Sequence, residues 1–296
     1  MDLIAIPNVS EGRDPSHLER FSAQLTSKGA IVLDVHMDGA HNRAVLTTTG
    51  PSASLPGALA ALAAAAKLSI DLTRHTGVHP RIGVLDVCPL VPHEGTMASA
   101  VATALDTATA IAESASLPVY LYGDAARRDE TRELPALRKD GLDGLTRRAR
   151  AGLLPDFGPS EIDPRHGVVC VGARDALVAF NVWLRGTEED AKAIAARIRT
   201  AAGGPPGIRA LGVPMARGRA QVTMNLTAPA VTGIDEAFAV VGSLAADRGI
   251  VVDATEIVGL VPRRYLPAAD GEAARLLMKP GRSLESKLEG LLAPPS

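Results

Sequence analysis

Residues 176–200, ALVAFNVWLRGTEEDAKAIAARIRT, contain a strand that is followed within a few residues by a helix. The run at 176–184 is almost entirely apolar, which predicts a strand. Thr187 is a preferred N-cap residue, and the acidic residues 188–190 lie in the first turn, where the helix dipole favours negative charge. This stretch therefore predicts the first strand and the first helix of an alternating unit, with the helix ending near Thr200.

The segment that follows completes a βαββαβ unit. Two strands are predicted at 207–213 and 220–226, a helix at 233–248 and a last strand at 250–256. This order is that of the split unit of a ferredoxin-like sheet, which has helices on one face.

The beginning of the chain repeats this order of elements. In chain order, the pattern predicts a strand at 3–8, a helix at 15–27 capped by Ser10 or Asp14, strands at 30–35 and 43–49, a helix at 51–68 and a strand at 82–87. Two such units predict an α+β fold with two ferredoxin-like subdomains, which we place at residues 1–175 and 176–296. We expect the subdomains to face each other across a ligand groove.

The remaining segments connect or follow the two units. A helix at 96–114 and a strand at 118–121 are predicted, and residues 127–167, where basic residues alternate with Pro and Gly, should be loop and short helix. A C-terminal helix is expected at 270–292, with frayed residues 293–296 after it. Long loops in compact domains are often functional, so the middle stretch is a candidate ligand contact.

Composition and charge disfavour several functional classes. The chain has 296 residues, a formal net charge of -2 and 3% aromatic residues, which argues against a polyanion-binding role. Its two cysteines, Cys88 and Cys170, are too few for a disulfide framework and form no CxxC motif. The chain starts without a basic segment before an apolar run, and its most apolar window, 55–70, is too short to span a bilayer. We therefore expect a soluble cytoplasmic protein with no membrane or nucleic-acid partner.

The densest polar cluster is residues 74–81, RHTGVHPR. It lies between a predicted helix end and a predicted strand, where side chains can project into a cleft. Imidazole titrates near neutral pH, so His75 or His79 could accept and return a proton in one turnover, and the flanking Arg residues suit anionic ligands. The alternative is that both histidines are structural and bond to loop carbonyls.

Metal binding is the main competing interpretation of these histidines. A Gly separates His75 from His79, a Pro follows His79, and no Glu follows His75 where a zinc-bound water would need it. No metal is therefore expected, and a metal-dependent hydrolase stays as the weaker alternative. Side chains of a type that could ligate a metal occur at His36, Asp38, His41, His75, His79 and His93.

Further polar groups stand at the ends of predicted strands. Asn8 leaves the first strand, Asp34 and His36 end the second, and Asn42 and Arg43 begin the third. Asp34 could orient an imidazole, as carboxylates commonly do. Each group alone is typical of an ordinary turn, but all of them belong to one unit, so they can converge.

Residues 155–167, PDFGPSEIDPRHG, form another polar segment. Three Pro and two Gly give it an irregular path whose backbone groups could hydrogen-bond one edge of a flat heterocycle. Composition alone favours a linker between the two units. The sequence contains no P-loop, dinucleotide fingerprint or GxSxG motif.

Taken together, these segments resemble the glutamate formiminotransferase family. The motifs that carry the resemblance are PNVSEG at 7–12, NR at 42–43, RHTGVHPRIG at 74–83, DVCP at 86–89, PVYLYG at 118–123, PDFGP at 155–159, GAR at 172–174 and VGLVP at 258–262. The resemblance implies two ferredoxin-like subdomains with a folate groove, and transfer of a formimino group from N-formimino-L-glutamate to N5 of tetrahydrofolate, a reaction of histidine catabolism. The cyclodeaminase portion fused to the animal enzymes has no counterpart in this sequence, so that activity is not expected.

The resemblance also implies roles for individual residues. The family's catalytic histidine corresponds to His79, which would act as general acid and base. Both ligands carry carboxylates, which Arg43, Arg81, Arg165 or Arg174 could bind through paired hydrogen bonds. The expected contacts are to the substrate at Asn8, Asp34, His36, Asn42, Arg43, His75, Arg81 and Arg174, and to the folate at Gly158, Pro159, Ser160, Glu161, Ile162, Asp163, Pro164, Arg165, His166 and Gly167.

Two features of this sequence depart from the family pattern. His36 stands where the family usually has an acid, and the folate segment is more charged than is usual. The alternatives are a folate-binding paralogue without activity and an enzyme for another one-carbon donor, such as formylglutamate. An Ala-rich, aromatic-poor surface helix could support a homodimer.

Overall fold

The computed structural model describes residues 1–292. The chain divides into two compact units, unit 1 at residues 1–175 and unit 2 from residue 176 onward. Each unit contains one β-sheet with helices packed against it, so the fold is mixed α+β with two sheets.

The sheet of unit 1 has seven strands within residues 1–175. They are β1 Leu3–Ala5, β2 Asn8–Val9, β3 Ile31–Asp38, β4 Arg43–Thr49, β5 Leu85–Pro92, β6 Val119–Gly123 and β7 Val169–Ala173. Because β1 and β2 both lie between β4 and β5, the order across the sheet is β3, β4, β1 with β2, β5, β7 and β6. The strands from β3 to β5 pair antiparallel, whereas β5, β7 and β6 are parallel.

Helices cover this sheet on both faces. The helices of unit 1 are α1 Pro15–Ser27, α2 Leu55–Ser69, α3 Met97–Ala115, α4 Asp129–Arg132, α5 Leu134–Leu137 and α6 Gly141–Arg150. The long helices α1 to α3 bury apolar side chains such as Phe21 and Leu59 against one face. On the other face, Leu137 and Leu145 of the shorter helices α5 and α6 pack against Tyr120.

Local side-chain hydrogen bonds define where these helices begin. Asp14 accepts a hydrogen bond from the amide of Ser16 and caps α1, so the structure selects Asp14 from the two predicted caps. Thr96 and Ser99 form a reciprocal capping box at the start of α3. Both helices therefore begin where short-range sequence signals placed them.

The described residues of unit 2 form β8 Val178–Arg185, α7 Glu188–Ile198, β9 Ile208–Met215, β10 Arg219–Leu226, α8 Ile234–Ala246, β11 Val251–Ile257, α9 Glu272–Arg275 and α10 Leu284–Leu292. The four strands make an antiparallel sheet ordered β11, β8, β10 and β9. Helices α7 and α8 bury one face of it, with Phe180 and Phe238 in the core. Thr187 caps α7 through a capping box with Asp190, as predicted.

Some predicted boundaries are wrong. β5 begins at Leu85 rather than at residue 82, because the preceding residues pair with another segment and Gly83 forms an isolated bridge with Gly167. α2 begins at Leu55 because the residues after Pro51 form a turn. The sequence interpretation missed β7 altogether.

The predicted C-terminal helix at 270–292 is two helices, α9 and α10. Pro280 and Gly281 stand between them, and proline cannot donate the backbone hydrogen bond that a continuous helix requires. The expectation that residues 293–296 fray lies outside the described residues. Among residues 1–292, no helix has the length and apolar character needed to cross a bilayer.

Candidate active site

The loop that leads into β5, residues 75–84, carries the predicted catalytic cluster and is called the histidine loop below. Asn42 supports its first part, because its side-chain amide donates to the carbonyl oxygen of Thr76 at 2.9 Å. The Oδ1 of Asn42 accepts from the amide of Gly12 at 3.0 Å. His75 Nε2 lies 3.0 Å from the backbone oxygen of Asn42. With φ at 47°, Asn42 adopts a left-handed conformation that Asn tolerates better than most residues. Asn42 and His75 thus support the loop.

Gly77 lies against the turn between β3 and β4. A Cβ at this position would be 2.4 Å from the carbonyl oxygen of His41 and 2.9 Å from the Cβ of Asn42. The turn cannot move away without disturbing the hydrogen bonds of Asn42. Only glycine therefore allows the histidine loop to approach this turn so closely.

Gly77→Ala should lower the free energy of unfolding by about 1–3 kcal/mol, the usual cost of forcing extra atoms into a packed site. Urea denaturation measures this directly. The matched control is Gly57→Ala, since a Cβ at Gly57 in α2 would meet nothing within 4 Å. That control should be neutral or stabilising, because alanine favours a helix more than glycine does. Equal stability of the two variants would contradict the close approach.

His79 is half-buried near the middle of the histidine loop. Its Nδ1 lies 2.6 Å from the carbonyl oxygen of Pro80. Because a carbonyl oxygen can only accept a hydrogen bond, this geometry assigns the proton to Nδ1 and leaves a free lone pair on Nε2 of the neutral ring. The ring of His41 lies beside that of His79, with 5.7 Å between the centroids and 45° between the planes.

The surroundings of His79 disfavour its protonated form. Burial lowers the pKa of His79 well below the usual 6.5, and the positive charges of Arg43 and Arg138 lower it further. Asp86 acts in the opposite direction without compensating. At neutral pH, His79 is therefore an uncharged base.

Asp86 owes its orientation to an irregularity in β5. Asn8 of β2 pairs with Val87, but the next residue, Val9, pairs with Leu85. Asp86 is thus the extra residue of a β-bulge, a feature that re-aims a side chain. Leu85 belongs to the core between the sheet and helices α1 to α3. The bulge turns the Asp86 carboxylate away from that core.

The carboxylate of Asp86 is fully buried and holds two arginines. Oδ2 pairs with Arg43 Nη1 at 2.6 Å and with Arg138 Nη2. Oδ1 accepts from the amide of Ile82 at 2.8 Å. Burial alone would raise the pKa of Asp86, but Arg138 and Arg43 outweigh it and hold this pKa well below its usual range. Asp86 is therefore ionised and fixes both guanidinium groups.

The other strand residues predicted for the site share one face of the sheet with Arg43. Asp34 and His36 of β3 stand opposite residues 47 and 45 of β4, and residues two apart along a strand point to the same side. Asn8 also lies there, since its Oδ1 accepts from Arg43 Nη2 at 2.8 Å. The direct contacts of the His79 ring described above are to the carbonyl oxygen of Pro80 and to the ring of His41.

The two remaining arginines predicted for the substrate, Arg81 and Arg174, lie in different parts of unit 1. Arg81 Nη2 donates to the carbonyl oxygens of Gly77 and His79, both at 2.7 Å, and so closes the histidine loop on itself. Arg174 follows β7, and its amide donates to the carbonyl oxygen of Leu90. Its Nη1 donates to the carbonyl oxygen of Asp175 at 2.8 Å, and Leu90 lies roughly 15 Å along β5 from the first residue of that strand.

The predicted folate segment, residues 158–167, runs past the amino ends of the parallel strands. The amide of Val84 donates to the carbonyl oxygen of His166 at 3.0 Å, and the amide of Leu72 donates to that of Arg165 at 2.8 Å. The segment therefore hydrogen-bonds the last residue of the histidine loop and the turn that precedes the loop.

A cavity of about 360 Å³ lies against this segment. Two polar side chains of the segment that line it contact each other, since His166 Nδ1 lies 2.8 Å from Asp163 Oδ2. The lining residues are Lys67, Ser116, Leu117, Pro118, Pro159, Glu161, Ile162, Asp163, Pro164, His166 and Gly167.

The sequence interpretation assigned no role to three residues of this cluster. Asp86 occurs in one of the family motifs, but its buried position depends on the bulge. Arg138 belongs to the stretch predicted as loop and short helix, 52 residues after Asp86, and no local pattern indicates the contact. The sequence places His41 only among side chains of a type that could ligate a metal. Among residues 1–292, no group of three or more His, Cys, Asp or Glu side chains is arranged to hold a metal ion.

Comparisons with known proteins point to one family for both units. Residues 3–174 match the family model described as the formiminotransferase domain, N-terminal subdomain. Residues 179–275 match the model described as the formiminotransferase domain.

Curated relatives extend over most of the chain. Over 272 residues, the chain is 39% identical to a formimidoyltransferase-cyclodeaminase from Sus scrofa, covering 88% of this chain and 50% of that protein. It thus spans about half the length of that relative. A glutamate formimidoyltransferase from Thermoplasma acidophilum is 38% identical, with 88% of each chain covered. Another from Streptococcus pyogenes is 36% identical, with 88% of this chain and 89% of the relative covered.

Proposed function

This chain belongs to the formiminotransferase domain family, and we propose that it transfers a formimino group from N-formimino-L-glutamate to N5 of tetrahydrofolate. The observation that carries the proposal is the state of His79. Its Nδ1 is bound to the Pro80 carbonyl oxygen at 2.6 Å, and its pKa is lowered by burial and by neighbouring arginines. A neutral imidazole with a free Nε2 is the group that proton transfer in this reaction needs.

In the proposed reaction, N5 of tetrahydrofolate attacks the carbon of the protonated formimino group and forms a new C–N bond. His79 Nε2 takes the proton that N5 loses. The tetrahedral intermediate then breaks its bond to the nitrogen of glutamate, and His79 returns the proton to that nitrogen. The imidazole ends as it began, so one residue serves as base and then as acid.

Arginines near His79 would bind the carboxylates of the donor. Arg43 is occupied by Asp86 and Asn8, whereas the Nε of Arg138 is buried and has no hydrogen-bond partner among the described residues. An unpaired buried guanidinium nitrogen is costly, and a carboxylate oxygen would satisfy it. We therefore place Arg138 first among the donor-binding residues, ahead of Arg81, whose Nη2 already bonds two loop carbonyls.

Tetrahydrofolate would act as co-substrate and contact residues 158–167. This assignment is supported by the hydrogen bonds that join the segment to Val84, at the end of the histidine loop, and to Leu72, just before the loop. A ligand on the segment would lie next to the loop that carries His79. No step of the proposed reaction requires a metal.

We also propose that each unit has the ferredoxin-like topology. In unit 2 the order β11, β8, β10, β9 places the fourth, first, third and second strands of the βαββαβ unit side by side. In unit 1, β5, β1 with β2, β4 and β3 stand in the same order, and β7 and β6 extend the sheet. The shared order supports one topology for both units.

The pH dependence of kcat/KM should reflect the lowered pKa of His79. Since the base must be neutral, activity should be retained as pH falls through 6.5 and should be lost only at lower pH, where His79 becomes protonated. A profile from acidic to alkaline pH at constant ionic strength measures the midpoint of this limb. A midpoint above 6.5 would contradict the environment described for His79.

A transfer assay tests the function itself. Purified protein is mixed with tetrahydrofolate and N-formimino-L-glutamate and then acidified, which converts the 5-formimino product to the absorbing methenyl form. The expected result is a signal that needs both substrates. Folate binding by calorimetry without any product would overturn the proposed transfer and favour a folate-binding protein or another donor.

A further inference from the structure

The two sheets correspond to each other at the level of single residue pairs. In each βαββαβ unit the first strand, β2 or β8, lies between the third strand, β4 or β10, and the fourth strand, β5 or β11. One residue of this first strand pairs with an alanine of the third strand and with the residue just before the bulge in the fourth strand. The matching pairs are Val9–Ala44 and Val9–Leu85 in unit 1, and Leu184–Ala220 and Leu184–Val252 in unit 2.

The correspondence includes the charged residues of the candidate active site. Arg43 and Arg219 are the first residues of β4 and β10. The pairing of β8 with β11 shifts its register at Asp253, as the pairing of β2 with β5 does at Asp86. Unit 2 therefore holds an Arg–Asp pair, Arg219 and Asp253, at the positions that Arg43 and Asp86 occupy in unit 1.

Asp253 also holds a second arginine, as Asp86 does. Its Oδ1 accepts from Arg185 Nε at 2.9 Å, and its Oδ2 pairs with Arg219 Nε at 3.0 Å. The side chain of Asp253 is only 10% exposed, whereas those of Arg185 and Arg219 are 69% and 41% exposed. The mostly buried carboxylate of Asp253 thus holds two guanidinium groups that are accessible to solvent.

The two clusters differ in what surrounds the arginines. In unit 1, Arg43 is mostly buried and donates its remaining groups to the Oδ1 of Asn8. In unit 2, the position of Asn8 is taken by Trp183, and Arg219 lies over its ring at 5.8 Å. An aromatic ring offers no acceptor oxygen. Both exposed guanidiniums contact Asp253 through Nε, so within residues 1–292 their Nη groups are left for another acceptor.

We propose that Arg185 and Arg219 form an anion site on unit 2 that binds the carboxylate or phosphate group of a small molecule. A guanidinium is a planar fork that donates two parallel hydrogen bonds to an oxyanion. Asp253 orients both forks and neutralises one of their two charges, so one positive charge remains for the ligand.

A role in stability alone would not explain why two arginines contact Asp253. Exposed ion pairs contribute little to stability, and one arginine would neutralise Asp253. Arg185 directly follows Leu184 and Arg219 directly precedes Ala220, and Leu184 and Ala220 are paired in antiparallel strands. Two like charges therefore stand side by side, one at the end of β8 and the other at the start of β10. Such pairs repel, and a bound oxyanion removes the repulsion.

The only tryptophan of the chain makes this site measurable, because Trp183 lies under Arg219. The full chain is titrated with inorganic phosphate and, separately, with L-glutamate at constant ionic strength, while tryptophan fluorescence is recorded. We expect a saturable change with a Kd in the millimolar range. Arg185→Gln, which leaves the contact between Arg219 and Trp183 in place, and Arg219→Gln should each weaken binding by about tenfold.

Arg209→Gln is the matched control. Arg209 is an exposed arginine of the same sheet, in β9, and its replacement changes the net charge equally. Its Kd should equal that of the wild type, and circular dichroism should show that all variants keep the fold. A response to phosphate alone assigns a phosphate group, and a response to both probes assigns an oxyanion in general. No saturable response, or the same Kd for Arg185→Gln, Arg219→Gln and Arg209→Gln, would overturn the site.

Discussion

His79→Ala should reduce kcat for formimino transfer by about 10³-fold, within the range that a positioned acid–base group contributes. The substitution removes the Nε2 lone pair that would accept the proton of N5. The side chain is half-buried in a loop rather than in the core, so the fold should be retained. The Kd for tetrahydrofolate should change by less than about threefold, since the histidine acts on the reacting atoms and not on the rest of the ligand. Single-turnover kinetics and calorimetry measure the two effects separately.

His93→Ala provides the control for this loss. His93 lies in unit 1 directly after β5, and no role in the site is assigned to it. The transfer activity of the His93→Ala variant should equal that of the wild type. Partial recovery of the His79→Ala variant by added imidazole would strengthen the assignment, whereas a loss of less than tenfold would remove His79 from the chemistry.

Asp86→Asn should lower the free energy of unfolding by about 3–5 kcal/mol at neutral pH, because it leaves two guanidinium groups without their buried carboxylate. Arg43 and Arg138 are only 11% and 17% exposed, so water cannot replace the lost partner well. Transfer activity should fall as well, since both arginines stand close enough to His79 to lower its pKa. Urea unfolding and steady-state kinetics give both quantities.

The stability effect should depend on pH in a defined direction. The pKa of Asp86 in the folded protein lies below the ordinary value of 3.8. The contribution of Asp86 to the free energy of unfolding is therefore fully present above pH 3.8 and is lost as the pH falls through the pKa of the folded state. The gap between wild type and Asp86→Asn should therefore be constant near neutral pH and should narrow in strong acid.

Asp253→Asn is the matched control in unit 2, because Asp253 occupies the corresponding bulge. Its arginine partners are largely exposed, so the loss should be about 1 kcal/mol or less. If Asp86→Asn and Asp253→Asn lowered the free energy of unfolding equally, burial would not explain the contribution of Asp86 to stability.

Elements whose signals lie within a few residues could be predicted from the sequence. Helix α1 and strand β4 have the predicted bounds, residues 15–27 and 43–49. The cap at Thr187 is also confirmed. A cap forms through hydrogen bonds that span three residues, and the β-branched residues that favour β4 lie within the strand itself. Such features need no knowledge of the rest of the chain.

Features that depend on distant partners were missed or misplaced. β7 is a short central strand, and its apolar residues do not alternate because both of its faces are covered. The start of β5 depends on the bridge between Gly83 and Gly167. Arg138 reaches Asp86 across 52 residues of sequence. No local pattern encodes contacts of this kind.

The order of elements in the two βαββαβ units, the helix caps and the choice of His79 as a candidate were determined by the sequence itself, because periodicity, capping chemistry and motif spacing are properties of neighbouring residues. Only the tertiary structure decided which charges surround that histidine. The bulge that turns Asp86, the arginines it gathers and the matching cluster at Asp253 arise when strands far apart in the chain are brought into register. Their energies depend on burial, and burial is a property of the folded chain as a whole.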